Sequence, residues 1–335
     1  MKLTKEIVCA LFLISVLFLS DPVVAKQWTD LEGSEGPGKG KHIVLLAGDE
    51  EYRSEDSMPQ LAKILAVRHG FKCTVLFAIN KETDEIDPKT LDNIPGLQSL
   101  ETADLMVMFL RFRELPDGQM KYIIDYTNSG KPIIGLRTAT HAFFYRKNLD
   151  SPYAKYSWQS KKLEGGYGRQ VFGETWVNHY GRHQVESTRG LIVAGMGNEV
   201  IATGIDSIWG ESDVYGLTSL NGDCRPIVMG QVLVGMNPDD KPNPTKRLVP
   251  VAWTKTYTGE TGKTDRVFTT TMGHAFDFNN EGFRRLMVNA CYWALGMEDK
   301  IPAKSNVDFV GKYNPNKIGM DKHKRGLKPS DHELK

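Results

Sequence analysis

The sequence predicts an α/β fold built on a mostly parallel central sheet with helices on both faces. Buried apolar runs alternate with helix-like segments along the first half of the chain, and each connection is long enough for a crossover. One run, residues 131–141, reads as a strand that enters a tight turn and then a helix start. A hydrophobic content of 40% is ample for one large core.

The individual elements follow from apolar runs and from start and stop signals. The first unit is a strand over residues 42–47, followed by a helix that Ser54 caps and Gly70 ends. The remaining strands are predicted at residues 73–79, 105–110, 132–136, 226–234, 248–253 and 267–271. The remaining helices are predicted at Asp117–Thr127 and at residues 283–295, the latter with a clear apolar face.

One segment breaks this alternation. Residues 146–189 are rich in Tyr, Trp, Gly and His and carry no regular period. Long insertions of this kind often cover a ligand site. We therefore expect a long inserted loop region, here called the excursion, over the site.

The two ends of the chain differ in composition from the centre. Lys2 and Lys5 precede an apolar run over residues 7–19 and small residues at 23–25, which is the pattern of a cleaved signal peptide over residues 1–25. A Gly-rich linker is expected at 26–40, the folded domain at 41–300 and an extended C-terminal tail at 301–335. These features predict a periplasmic or secreted protein without stable membrane insertion.

The charge balance restricts the partners. The chain has 42 basic and 41 acidic side chains and a formal net charge of +1. This balance gives no electrostatic argument for binding nucleic acid. A small-molecule ligand is expected instead, and association with a second copy of the chain stays open.

Ligands of parallel sheets bind beyond the carboxyl ends of the strands, so the residues that follow each strand are the site candidates. They are Asp49, Glu50, Glu51, Tyr52 and Arg53 after the first strand, Asn80 after the second, Arg111 and Arg113 after the third, and Arg137, Thr138 and His141 after the fourth. Hydrolytic α/β folds present Ser or Cys at the turn where this chain has Arg137. A guanidinium binds anions or polarises an oxygen but does not attack a carbonyl. Ordinary acyl transfer at this turn is therefore not expected.

Proton transfer is assigned to Glu51 or His141. Glu51 lies beside Asp49 and Glu50, and repulsion between these carboxylates would raise the pKa of one of them and suit it to proton transfer. The alternative is structural, because acidic residues before a helix also cap its free N–H groups. For His141, the alternative is that it merely ties a helix start to a loop. Arg111 and Arg113 either bind a ligand or neutralise the acidic run, and one arrangement can do both.

The excursion and the later strands supply further candidates. His179 and His183 lie four residues apart and could ligate a divalent metal, but Gly181 weakens a continuous helix and the HExxH pattern is absent. Hydrogen bonding or proton transfer is the preferred role for these histidines; no cofactor is assigned, and a divalent metal stays open. The other expected substrate-binding residues are Asp213, Tyr215 and His274.

Together, residues 42–54, the turn at 132–143, residues 172–183 and the closing residues 273–296 resemble the trehalose-utilisation (ThuA-like) family. The resemblance implies a flavodoxin-like fold similar to class I glutamine amidotransferases and a role in carbohydrate metabolism, with a keto-sugar or a glycoside as ligand. Because Arg137 replaces the amidotransferase cysteine, glutaminase activity is not carried over. The first loop lacks the histidine that many members have near Glu51 or Tyr52, which leaves an inherited metal site open.

Three functions are compatible with the sequence. The first is an exported hydrolase, lyase or isomerase acting on a sugar derivative, with His141 or Glu51 moving a proton. In this hypothesis Arg137 and Arg111 hold oxygens of the substrate, and His179 closes the pocket from above. The second is a sugar-binding or scaffold protein that kept the fold without catalysis. The third is a metal-dependent hydrolase that uses His179 and His183.

Overall fold

The computed structural model describes residues 26–197 and 199–334, so the predicted signal peptide lies outside the described residues. The strands are β1 (Trp28–Leu31), β2 (His42–Gly48), β3 (Lys72–Phe77), β4 (Leu105–Leu110), β5 (Ile133–Leu136), β6 (Asn178–His179), β7 (Thr188–Ile192), β8 (Ile208–Gly210), β9 (Tyr215–Gly216), β10 (Arg225–Val232), β11 (Val249–Thr258) and β12 (Thr264–Thr270). The α-helices are α1 (Ser54–His69), α2 (Asp117–Thr127) and α3 (Glu281–Ala294). None of the helices in the described ranges is long and apolar enough to cross a bilayer.

Ten strands form one mixed sheet in the order β1-β3-β2-β4-β5-β12-β11-β10-β7-β8. In the order of the sheet, the neighbouring strands from β3 to β12 pair parallel. At the two ends of the sheet, β1 pairs antiparallel with β3, and β11, β10, β7 and β8 continue from β12 in antiparallel pairs. The predicted α/β class is confirmed, but the expectation of a mostly parallel sheet is wrong for the second half. The short connection between β11 and β12 explains the difference, because it allows a hairpin and leaves no room for a crossover helix.

The side chains of β2 alternate between two apolar layers. Ile43 and Leu45 pack with residues of α1 and α3, whereas Val44 and Leu46 pack with residues of α2 and of the excursion. All four are fully buried. The sheet is therefore covered on both faces, which leaves its strand ends as the place where polar side chains can gather.

The segments outside the central domain are also attached to it. The expected linker contains β1, which pairs with β3 at the edge of the sheet. The tail packs against the side of the sheet that α1 covers: Asn306 O lies 2.7 Å from His69 Nε2, and Pro329 O accepts a hydrogen bond from Thr29 Oγ1. The tail is thus extended but fixed to the domain by backbone contacts.

Gly135 on β5 allows the excursion to approach the sheet closely. A Cβ atom at this position would lie 2.5 Å from the buried ring of Phe172. We predict that Gly135→Ala destabilises the protein by about 1–3 kcal/mol, because the ring has no free space to move into. The measurement is the free energy of unfolding in urea.

Gly118→Ala is the matched control. A Cβ atom there meets nothing within 4 Å, and the position lies in the first turn of α2. Alanine is the better helix former, so the control is expected to be neutral or up to about 1 kcal/mol more stable. Equal stability of both variants would contradict the packing argument.

Candidate functional site

The backbone of the turn after β5 is strained, as it is at the turn that presents the nucleophile in α/β hydrolases. Arg137 directly follows the strand and has a φ of 42°, a left-handed conformation that is unusual for a residue with a side chain. Its side chain is fully buried, and Nη1 donates to Thr271 O at 3.1 Å. The strand and turn predicted for this segment are present, but the guanidinium points into the protein and is used for internal contacts.

The carboxylate of Asp213 connects the turn to the excursion. Arg137 Nη2 donates to Oδ1 at 2.6 Å. The other oxygen, Oδ2, lies 2.5 Å from His179 Nδ1 and 3.3 Å from His183 Nδ1. One buried side chain thus holds three cationic or titratable partners, and we call these four residues the Asp213 cluster.

The charges around Asp213 determine its protonation. Burial by itself would raise its pKa, but Arg137 and the hydrogen bonds from His179 and His183 hold the pKa well below its usual range. Asp213 is only 1% exposed, whereas the imidazoles of His179 and His183 are 34% and 30% exposed. The cluster therefore has a buried anionic centre with two histidines at the surface.

Glu51 lies beside this cluster. Its Oε1 is 3.6 Å from His183 Nε2, and its Oε2 is 3.2 Å from Arg111 Nη2. Asp49 shapes the loop, because its carboxylate accepts the N–H of Glu51 and the hydroxyl of Thr138. The first loop and the turn after β5 are thus joined, as expected for loops at one edge of a parallel sheet.

Glu50, the remaining carboxylate of the acidic loop, is neutralised by two arginines. Arg111 Nη1 and Arg113 Nη2 donate to the two oxygens of Glu50 at 2.5 and 2.6 Å. Arg113 is fully buried and also donates to the carbonyl oxygens of Pro88 and Thr90. Of the two roles considered for these arginines, the structure provides ion pairing. Of these two arginines, Arg111 also contacts Glu51, which lies beside the Asp213 cluster.

Aromatic rings extend from the Asp213 cluster as a half-buried strip of Trp176, Trp158, Phe112 and Phe144. Successive ring centroids are 5.3, 5.6 and 5.8 Å apart. Trp176 also lies 5.8 Å from the ring of His179. Successive ring planes are inclined to one another by 53°, 47° and 58°, so the aromatic strip gives the site an uneven apolar surface next to its titratable groups.

A sequence model described as trehalose utilisation matches residues 43–294. The chain belongs to the ThuA family. A search of curated proteins finds no match. Among solved structures, a ThuA-like protein of Bacteroides uniformis ATCC 8492 has 14% identity and a TM-score of 0.46, and the match covers 78% of this chain and 93% of that one. A ThuA-like protein of Parabacteroides merdae ATCC 43184 has 13% identity and a TM-score of 0.47, with 89% and 100% covered.

In this ThuA protein the predicted residues His141 and His274 are more deeply buried than His179 and His183. His141 is 3% exposed and lies under Phe112 and Trp176, with ring centroids 4.9 and 5.4 Å away. Burial, followed by the charges of Arg111 and Arg137, holds its pKa well below the usual range, so it is neutral. His274 is 1% exposed, and its ring stacks on Tyr52 at 6.3 Å.

Tyr52 and Tyr215 enclose the guanidinium of Arg137 from two sides. The centroids of their rings lie 3.9 and 4.9 Å from its central carbon. Tyr215 was expected to bind substrate, but it is 2% exposed and serves this cation–π contact. Tyr52 was expected at the strand ends, but its contact with the guanidinium of Arg137 was not predicted.

The Asp213 cluster also contains the atoms of a metal site. Ligand atoms of His179, His183 and Asp213 all lie within 4.8 Å of one another. Two imidazoles and a carboxylate are the donors that zinc and related ions prefer. The pair of histidines was visible in the sequence, whereas the third donor was not, because Asp213 is brought in from a separate segment.

The depressed pKa of Asp213 has a consequence for stability. Ionised Asp213 is favoured in the folded protein, so its contribution is present above its ordinary pKa of about 4 and is lost as the pH falls below that value. We predict that Asp213→Asn costs about 3–5 kcal/mol at pH 7 by leaving Arg137 buried without its counter-ion, and that this cost shrinks below about pH 4. Urea unfolding measured from pH 7 to pH 2 checks it.

Glu35→Gln serves as the control, because that carboxylate is 86% exposed and lies far from the cluster in the sequence. Its free energy of unfolding should differ from that of the wild type by less than about 0.5 kcal/mol at each pH. A difference between wild type and Asp213→Asn that stays constant down to pH 2 would refute the electrostatic account.

Proposed function

We propose that the protein is an enzyme of carbohydrate metabolism that acts on a sugar derivative at the Asp213 cluster. The observation that carries the proposal is the arrangement of Asp213, His183 and Glu51, in which a buried carboxylate orients an imidazole toward a second carboxylate. Membership of a family described as trehalose utilisation supports a sugar as substrate. The aromatic strip supports it as well, because the apolar face of a single aromatic ring suits the face of a sugar ring.

His183 and Glu51 are the proposed proton-transfer pair. The Nδ1 atom of His183 faces Asp213, and its Nε2 lies 3.6 Å from Glu51 Oε1 and 3.1 Å from the side-chain nitrogen of Gln184. Orientation of an imidazole by a buried carboxylate is the arrangement by which proton transfer is prepared in other enzymes. Arg137 acts as a positioning residue, because its contacts with Asp213 and Thr271 leave it buried.

Hydrolysis, elimination and isomerisation of a keto-sugar or glycoside all use such a pair, because each moves a proton to or from carbon or oxygen. A covalent intermediate at the turn after β5 is not part of the proposal, since Arg137 occupies that position. The alternative of a sugar-binding protein without catalysis uses the aromatic strip but has no need for the contact between His183 and Glu51. Export, inferred from residues 1–25, belongs to the proposal and would place the substrate outside the cytoplasm.

The proposal predicts that Glu51→Gln and His183→Ala each lower turnover by about 10²–10⁴-fold, the usual contribution of a general acid or base. The wild type is incubated with disaccharides, oxidised sugars and aryl glycosides, and products are followed by NMR. Substrate binding, measured by calorimetry, should change little in Glu51→Gln because the side chain keeps its shape.

Glu35→Gln is the matched control, and His141→Ala tests the assignment of His141 made from the sequence. Loss of turnover in His141→Ala with normal turnover in His183→Ala would contradict the proposed pair. Binding of a panel sugar without turnover by the wild type would favour the non-catalytic alternative.

A second candidate, a metal-dependent hydrolase, is favoured by the convergence of donor atoms from His179, His183 and Asp213. We predict that dialysed protein binds one Zn²⁺ per chain and that Asp213→Asn lowers the affinity by about 10-fold or more, because zinc binding needs the deprotonated donors. Calorimetry with zinc alone measures this. His42→Ala is the control, since His42 contacts Thr74 outside the cluster; equal zinc affinity in Asp213→Asn and the wild type would exclude this site.

A further inference from the structure

The C-terminal tail contacts the loop that carries Glu51. This loop comprises residues 49–53 after β2, whereas the tail lies beyond the matched region, which ends at residue 294. Gly319 N donates to Glu51 O at 2.7 Å. Gly319 O accepts from Arg53 Nη2 at 3.3 Å, so both sides of this residue bind the loop. A segment outside the matched region therefore fixes the backbone of Glu51.

A second tail residue supports the same loop through one intermediate. Tyr313 Oη donates to Ala275 O at 2.6 Å. The N–H of Ala275 in turn donates to Tyr52 O at 3.1 Å. The carbonyl groups of two successive loop residues thus depend on the tail, that of Glu51 directly and that of Tyr52 through Ala275. Since a backbone carbonyl that loses its partner away from water is costly, these bonds favour one conformation of the loop.

The conformation of Gly319 restricts this contact to glycine. Its φ of 110° lies in a region that residues with a side chain rarely adopt. Space is not the restriction, because a Cβ atom there would lie 3.7 Å from Lys322 Cγ, its nearest neighbour apart from the adjoining residues. Gly319→Ala therefore has to change the local backbone, and with it the direction of the N–H and C=O groups that bind the loop.

The proposed reaction is sensitive to the position of Glu51. Its Oε1 lies 3.6 Å from His183 Nε2, and its Oε2 lies 3.2 Å from Arg111 Nη2. The first distance is already longer than a hydrogen bond, so a loop that moves outward would separate the pair. A misplacement of about 1 Å at a reacting group lowers the rate by about 10²-fold.

We propose that Gly319 is a positioning residue for the reaction at the Asp213 cluster, because it holds the backbone of Glu51 so that the carboxylate faces His183. Tyr313 supports the same loop through Ala275. The inference rests on the proposed function, since it gives Glu51 a part in proton transfer. Gly319 acts only through the loop and makes no contact with the substrate.

The test compares Gly319→Ala with the wild type, using the full chain and the panel sugar that the wild type turns over fastest. The turnover number kcat should fall by about 10–100-fold, because the proton-transfer group is displaced. Binding of that sugar, measured by calorimetry, should change little, since binding is assigned to the aromatic strip. Hydrogen exchange of the amides of Glu51 and Tyr52 should become faster, because the loop is held less firmly.

A double-mutant cycle separates positioning from a general loss of stability. Gly319→Ala is combined with Glu51→Gln, which removes the carboxylate that the tail positions. In this background Gly319→Ala should cause no further loss of kcat, because two changes that act through one group are not additive. An equal loss of kcat in both backgrounds would overturn the positioning role.

Gly326→Ala is the matched control. This glycine lies in the same tail with a φ of 77°, and a Cβ atom there meets nothing within 4 Å among the described residues. Its N–H binds Glu85 Oε2 instead of the loop after β2, so kcat should match that of the wild type. Tyr313→Phe keeps the ring and should lower kcat by about 2–10-fold, the equivalent of one neutral hydrogen bond.

Equal exchange rates for the amides of Glu51 and Tyr52 in Gly319→Ala and the wild type would refute the contribution of the tail to the loop. A fall in kcat no greater than that of Gly326→Ala, or an unchanged kcat in Tyr313→Phe, would refute its role in turnover. Failure of the wild type to turn over any panel sugar would refute the proposed function itself, and the exchange rates would still decide whether the tail fixes the loop.

Discussion

The arrangement of the site depends on the ionised carboxylate of Asp213, which is removed from water. A buried anion is tolerated only with partners that repay its lost hydration, and here Arg137, His179 and His183 supply them. Arg137 comes from the turn after β5, and the histidines come from the excursion. A single electrostatic requirement thus fixes three segments relative to one another.

The mixed sheet explains why these segments meet at this place. The parallel strands β2, β4 and β5 end at one edge, so their following loops carry Glu51, Arg111 and Arg137 to the same region. The strands β7, β10, β11 and β12 are antiparallel neighbours, so this part of the sheet is connected without crossover helices. The stretch that contains Asp213 is placed beside the excursion by the antiparallel pairing of β6 with β9, in which His179 faces Tyr215, and by the hydrogen bond from Gly181 N to Asp213 O.

The acidic loop after β2 shows how neighbouring carboxylates acquire different roles. Asp49 shapes the loop through hydrogen bonds, and Glu50 is neutralised by Arg111 and Arg113. Burial raises the pKa of Glu50, and the charge of Arg113 opposes this rise. Only Glu51 is left facing an imidazole at the surface. The tail beyond the family's matched region holds the backbone of this same residue, so the extension is structurally part of the site.

The sequence by itself determined the α/β class, the elements from β2 to β5, the helix α3 and the family, because these depend on local hydrophobic periodicity and on motifs along the chain. It also indicated the strand ends as the location of the site. It did not determine the direction of β11, β10, β7 and β8, which follow β12 in the order of the sheet. An apolar run has the same pattern in parallel and in antiparallel pairing.

Only the tertiary structure decided which polar residues meet. Asp213 and Arg137 are distant in the sequence, and the contact between them depends on packing that no local pattern encodes. The same applies to Arg111 and Arg113, whose charge suited a ligand or an ion pair equally well until Glu50 was placed between them. Periodicity fixes which residues are buried, but the pairing of buried charges is a property of the folded protein.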